Sequence, residues 1–225
     1  PELIPEALAL NAVGTSAFNE HKVLSLQLLK VAIFPDTAYA IYGFSQVFRR
    51  HLLTRIEVAN GLRNLVEIDL HRDVKRQLLK VLKKNSGLSA NSLLLAGVLS
   101  ILGQPLGVGQ GNNPTCQAAR GISLWSQHAQ GYLIQIITSA ARDNHIEMDF
   151  EGEAIKSDSL QGGVASGKFD LSLDPVSLIL VPHLDRLYDE MMKKASYRGE
   201  DQHKWVNPVF YGRWVSKGFA CVYDA

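Results

Sequence analysis

Gly103-Gln104-Pro105-Leu106-Gly107-Val108-Gly109-Gln110-Gly111-Asn112-Asn113-Pro114-Thr115-Cys116 is the stretch on which the reading of this chain turns. Four glycines make it a loop. Gly103-Gln104-Pro105 closes an apolar helical pattern before it, and Pro114 opens the pattern after it. Proline suits the first position of a helix, where no amide hydrogen is needed. The spacing therefore predicts one long helix over residues 114–142, carrying Trp125, His128, Tyr132 and Ile136. Cys116 falls in its first turn, where free backbone N–H groups and the positive end of the macrodipole favour a thiolate.

Upstream, everything reads as helix. Thr15 or Ser16 can cap a helix reaching Ile33, and Pro35-Asp36-Thr37 stops it and starts another that runs to about Leu52. Residues 54–70 continue in helical period with a weak point at Asn60-Gly61, and residues 73–84 are amphipathic, with Gly87 as a C-cap. Ser89 or Asn91 opens the apolar helix that ends at Gly103. Downstream, Ile146 to Phe150 alternates as a half-buried strand, and residues 151–170 form a loop or short hairpin. Residues 176–181 suit a buried strand or a helix start, Pro182 opens a helix to about Ala195, and residues 206–211 and 218–223 read as closing strands. The expected architecture is α+β. A helical region, residues 1–104, leads into residues 105–225, where the long central helix packs on a small antiparallel C-terminal sheet.

Formal net charge is only +1, but it is unevenly spread. Residues 49–84 hold ten Lys/Arg against four Asp/Glu, and residues 143–201 hold thirteen acids against six bases. This points to a basic face and an acidic face, or to two lobes attracting each other; in the alternative reading of function the chain is a non-catalytic helical interaction domain whose basic face, residues 49–84, binds an acidic protein, nucleic acid or membrane surface. No aromatic residue lies within residues 49–84, so that surface has no platform for stacking bases. Two cysteines, Cys116 and Cys221, make no disulfide framework and suit a protein that works in, or is delivered into, a reducing compartment such as the cytoplasm, or one that keeps one thiol for work. No apolar run reaches the ~18–20 residues of a bilayer span. The chain starts at Pro1 and stops just after a strand-like segment, so truncation at both ends is expected, and a catalytic partner could lie beyond residue 225.

The loop-to-cysteine segment resembles the papain-like cysteine proteases. That superfamily places a glutamine six residues before its nucleophile, and its cysteine starts a long helix packed on a small sheet. Gln110 stands six residues before Cys116. The resemblance implies a thiol hydrolase or acyl-transferase acting on an amide, isopeptide or ester bond of a protein or peptide, with no cofactor. Cys116 would be the nucleophile and Gln110 the oxyanion donor. In the order Cys, His, Asn/Asp, His183 would be the base and acid, with Asn207 or Asp185 orienting it, and Gly212 and Trp214 lie near Asn207 as in that family. His203 is the second candidate histidine.

The remaining histidines fit less well. On one helix His128 would sit about 18 Å from Cys116 and roughly 120° round the axis, out of reach. His145 belongs to a turn before a strand. The carboxylates of Glu147, Asp149 and Glu151 alternate onto one strand face without a paired histidine, which reads as a solvated face rather than a metal site.

Overall fold

Asp174 caps the helix that organises the molecule: its Oδ1 accepts the N–H groups of Val176 and Ser177 at 3.0 and 2.9 Å, and Pro175 takes the first position. The computed structural model describes residues 2–82 and 86–212. The expected strand at residues 218–223, with Trp214 and Cys221, lies outside them, as do Lys83 and Lys84.

The chain is α+β and mainly helical. In order come α1 (Ile4–Ala7), α2 (Ala12–Glu20), α3 (Lys22–Ala32), α4 (Ala40–Arg49), α5 (Ile56–Val66), α6 (Arg72–Lys80) and α7 (Ala90–Gly103). After the glycine loop follow α8 (Cys116–His128), α9 (Gln130–Asp143), the strands β1 (Glu147–Phe150) and β2 (Glu153–Lys156), then α10 (Pro175–Ala195) and α11 (His203–Phe210). Ser89 caps α7 as expected, its Oγ accepting Ser92 N–H at 3.0 Å. Nearly every side chain of α7 is buried, as a helix apolar on all sides requires, and α3, α4, α6 and α10 pack around it. Gly43 of α4 meets the C-terminal end of α7 backbone to backbone. A Cβ on Gly43 would stand 2.4 Å from the Leu99 carbonyl oxygen, and one on Gly103 would stand 2.3 Å from Gly43 Cα.

β1 and β2 form a two-stranded antiparallel hairpin with Phe150 opposite Glu153. Its turn, Glu151-Gly152, has φ of +59° and +86°, both positive as the commonest two-residue hairpin turn demands. Met148, Phe150 and Ile155 face the core, and β2 packs on α10 while β1 meets α11. One apolar cluster runs from Leu8 to Tyr211, and α5 packs on α9 across the boundary expected at residue 104.

Three local expectations need correction. Residues 114–142 are not one helix, because Ala129 (φ −140°, ψ 55°) breaks them into α8 and α9. The Gln130 side chain makes the break tolerable. Its Nε2 donates to the Ser126 and Gln127 carbonyls at 3.0 and 2.6 Å, the acceptors that the interrupted backbone ladder loses. Residues 175–195 are instead a single helix with Pro182 inside it. Proline has no N–H for the Leu178 carbonyl four residues back. Gln77 Nε2 of α6 donates to that carbonyl at 2.7 Å. Finally, residues 206–211 belong to α11 and its end rather than to a strand. Val206, Asn207, Phe210 and Tyr211 are the buried set, which is helical spacing.

Most described Lys and Arg side chains of the basic stretch are exposed, but two also make inward bonds. Arg50 donates to the Leu102 carbonyl, and Arg55 Nη1 donates to Gln130 Oε1 at 2.6 Å, so both turn inward to the α8–α9 break. No helix among the described residues is long and apolar enough to cross a membrane.

Candidate active site

The loop before α8 is held from the far side of the chain. Gly111 takes φ +58°, and the next two residues close on Asp170. Asn112 donates to Asp170 Oδ2 from its backbone N at 2.9 Å and its side-chain Nδ2 at 3.0 Å. Asn113, buried, donates from Nδ2 to the Gln110 and Asp170 carbonyls, both at 3.0 Å, and accepts Asp170 N–H at 2.8 Å. The Asn112 and Ser172 N–H groups hold the Asp170 carboxyl below the usual range. Nothing in the spacing of Gln110 to Cys116 announced Asp170; the Asn-Asn pair was its only trace.

Cys116 is the first residue of α8, exposed, with Thr115 before it as N-cap. Pro114 therefore stands just outside the helix rather than at its first position. The Thr115 side chain makes no capping bond, and its buried Oγ1 has no hydrogen-bond partner among the described residues. Around this corner lies a cleft of about 260 Å³. One wall is Pro114, Thr115, Gln117 and Ala118, the other is Asp185, Tyr188 and Asp189 of α10, and His203 stands at the start of α11. Burial, chiefly, pushes the Tyr188 and Tyr211 hydroxyls far up, while Arg120 opposes the shift. The Arg120 guanidinium stands 5.0 Å from the centre of the Tyr211 ring, and Tyr211 Oη donates to Gln117 Oε1.

His203 faces this cleft with an orienting group of its own. Its Nδ1 is 2.7 Å from Asp201 Oδ1, which also accepts the His203 backbone N–H at 3.1 Å. Those two bonds hold the Asp201 carboxyl below its usual range. The Tyr188 ring lies 6.2 Å from the imidazole.

Of the other expected partners only Asp185 lines this cleft. Cys116 itself is not on the cleft wall, whereas Asp185, Tyr188, Asp189 and Met192 face the cleft at helical spacing; His183, two residues from Asp185, is about 200° round the axis and turns away. It is 5% exposed, its Nδ1 lying 2.9 Å from Ser157 Oγ and 3.2 Å from Arg186 Nη2. Asn207 does not orient it, because Asn207 Oδ1 accepts the Tyr188 hydroxyl at 2.7 Å. Nor does Asp185, whose Oδ2 accepts the Val164 N–H at 2.8 Å. Gln110 is not on the cleft wall; its carbonyl serves the Asn113 turn. His128 ends α8, and His145 is partly exposed beside the Asp143 carbonyl. Among the described residues no three His, Cys, Asp or Glu side chains gather as a metal site would require.

No protein-family model matches the chain, and no curated protein or solved structure matches it either.

Proposed function

We propose that the chain is a thiol hydrolase or acyl-transferase in which Cys116 attacks and His203, oriented by Asp201, moves the proton. One observation carries the reading: a histidine already bonded to a carboxylate lines a cleft walled by Thr115 and Gln117, the neighbours of the exposed Cys116, which stands at its edge rather than on its wall. The cysteine–base–carboxylate logic is that of papain-like enzymes, but the histidine follows its carboxylate instead of preceding it, and the reading does not depend on common descent.

In the proposed reaction His203 takes the Cys116 proton and the sulfur adds to the substrate carbonyl carbon. The oxyanion that forms meets the Cys116 backbone N–H, which a helix start leaves without an intrahelical acceptor. Thr115 Oγ1, buried without a partner, takes the second donor position in place of Gln110. Collapse returns the proton through His203 to the leaving amine or alcohol, and water or an amine then releases the thioester. Asp185 and Asp189 on the opposite wall favour a protein or peptide substrate with a basic side chain beside the scissile bond.

Iodoacetamide labelling followed by peptide mapping, paired with turnover of lysine- and arginine-containing fluorogenic peptides, tests this. Labelling at Cys116 that slows in His203→Ala, with turnover lost in Cys116→Ala, supports it. Labelling no faster than a free thiol and indifferent to His203→Ala sinks it.

A further inference from the structure

A larger cavity than the cleft beside Cys116 lies elsewhere. It is an opening of about 650 Å³ between α6 and α10, the size of a small-molecule site. Arg76 and Lys80 reach it from α6, and His183 and Arg186 from α10. Arg76 is matched by Asp73 at 3.2 Å. Neither Lys80 nor Arg186 has a carboxylate within ion-pairing distance among the described residues. Arg186, half-buried, spends Nε on the Pro182 carbonyl at 3.0 Å and Nη2 on His183 Nδ1 at 3.2 Å. A partly desolvated guanidinium hydrogen-bonded only to neutral groups, with Asp158 and Asp185 acting on it only from beyond ion-pairing distance, can take a directly bonded anion.

His183 completes the donor set. A guanidinium can only donate, so His183 Nδ1 accepts and the ring proton sits on Nε2. Burial, with Arg186 beside it, lowers His183 to about 4, which keeps the ring neutral and in that tautomer at neutral pH. Beside the polar Gln77, Asn144 and Asp158, one stretch of the wall is apolar: Phe169, Leu171 and Ile179 offer a surface for a flat body. Asp158 is the one opposing carboxylate without an ion pair, and its charge is felt by both His183 and Arg186.

We propose that this cleft binds a small phosphomonoester whose body is a flat ring. Arg186, Lys80 and the His183 Nε2–H take the phosphate, and Phe169 and Leu171 take the body. Three donor groups from two helices suit the three terminal oxygens of a phosphate better than the two of a carboxylate. The site is independent of Cys116 and stands or falls separately from the thiol chemistry.

Calorimetric titration and thermal shift with three probes test it: AMP, inorganic phosphate and adenosine. AMP should bind more tightly than either part of itself. Arg186→Gln should weaken AMP by about tenfold or more, the loss of a charge-assisted pair. Asp158→Asn should tighten it, an effect that a purely structural role for these residues does not produce. Should Arg186→Gln fail to fold, Lys80→Gln and Asp158→Asn, both at solvent-exposed side chains, carry the test. No binding of AMP or phosphate at millimolar concentration overturns the proposal. So does AMP binding that ignores Asp158→Asn, or adenosine binding as well as AMP.

Discussion

Asn113 and Asp170 exchange two hydrogen bonds, Asp170 N–H to Asn113 Oδ1 at 2.8 Å and Asn113 Nδ2 to the Asp170 carbonyl at 3.0 Å. One buried side chain thus does for the loop before Cys116 what a neighbouring strand does for a strand edge. Asn113→Ala removes both bonds and leaves backbone groups beneath the loop unpaired. It should lower stability by about 2 kcal/mol and speed alkylation of Cys116 as the loop loosens. Urea unfolding and labelling kinetics read the two effects; unchanged values in both would deny the loop its anchor.

Gln77 and Pro182 form a second coupled pair, since Gln77 Nε2 serves the Leu178 carbonyl that the proline leaves open. Gln77→Ala should cost about 1–2 kcal/mol. In a Pro182→Ala background the restored N–H can reach that carbonyl, so Gln77→Ala should cost less there. A double-mutant cycle measures the difference, and full additivity would show that the bond carries nothing.

The buried His183 makes stability depend on pH. Its folded value of about 4 lies below the ordinary 6.5, chiefly through burial and then through Arg186. As pH falls, the unfolded chain takes up this proton first, so stability decreases with falling pH. The contribution is complete above 6.5 and is lost on the way down to about 4, a total of about 3 kcal/mol. Urea midpoints at pH 7 and pH 4.5 should diverge in the native chain and converge in His183→Gln. Equal slopes for the two proteins would contradict the assignment.

For the Cys116 cleft, His203→Ala should reduce acylation of the thiol by about 10²-fold or more. Asp201→Asn should do less damage, because the imidazole remains and only its orientation is relaxed. Rapid-mixing measurement of acyl-enzyme formation orders the two. An Asp201→Asn defect as deep as that of His203→Ala, or none in either, would break the proposed division of roles.

The helices were legible where side chains cap or alternate cleanly. Ser89 before an apolar run, and Ile146 to Phe150 alternating in and out, could be read directly. Long-range compensation could not. The Ala129 break is tolerated because Gln130 covers its own broken ladder and Arg55 holds Gln130, a contact 75 residues away in sequence. Pro182 looked like a helix start because its substitute donor, Gln77, lies 101 residues upstream of the carbonyl it serves. At the site, Cys116 at a helix start was readable from Gly111 and Pro114. His203 stands too close to Asn207 in sequence for the order Cys, His, Asn, and the carboxylate bonded to it, Asp201, stands two residues before it.

Gly43 and Gly103 carry a consequence for recognising kin. Where two backbones touch, no neighbouring side chain can shrink to make room for a methyl group, and a substitution at either place must displace a whole helix. The two positions are therefore tied to each other more tightly than either is to its own surroundings. A distant relative can replace every exposed residue, and much of the core, and still show glycine at both places sixty residues apart. That coincidence is a signature to look for where overall likeness has faded.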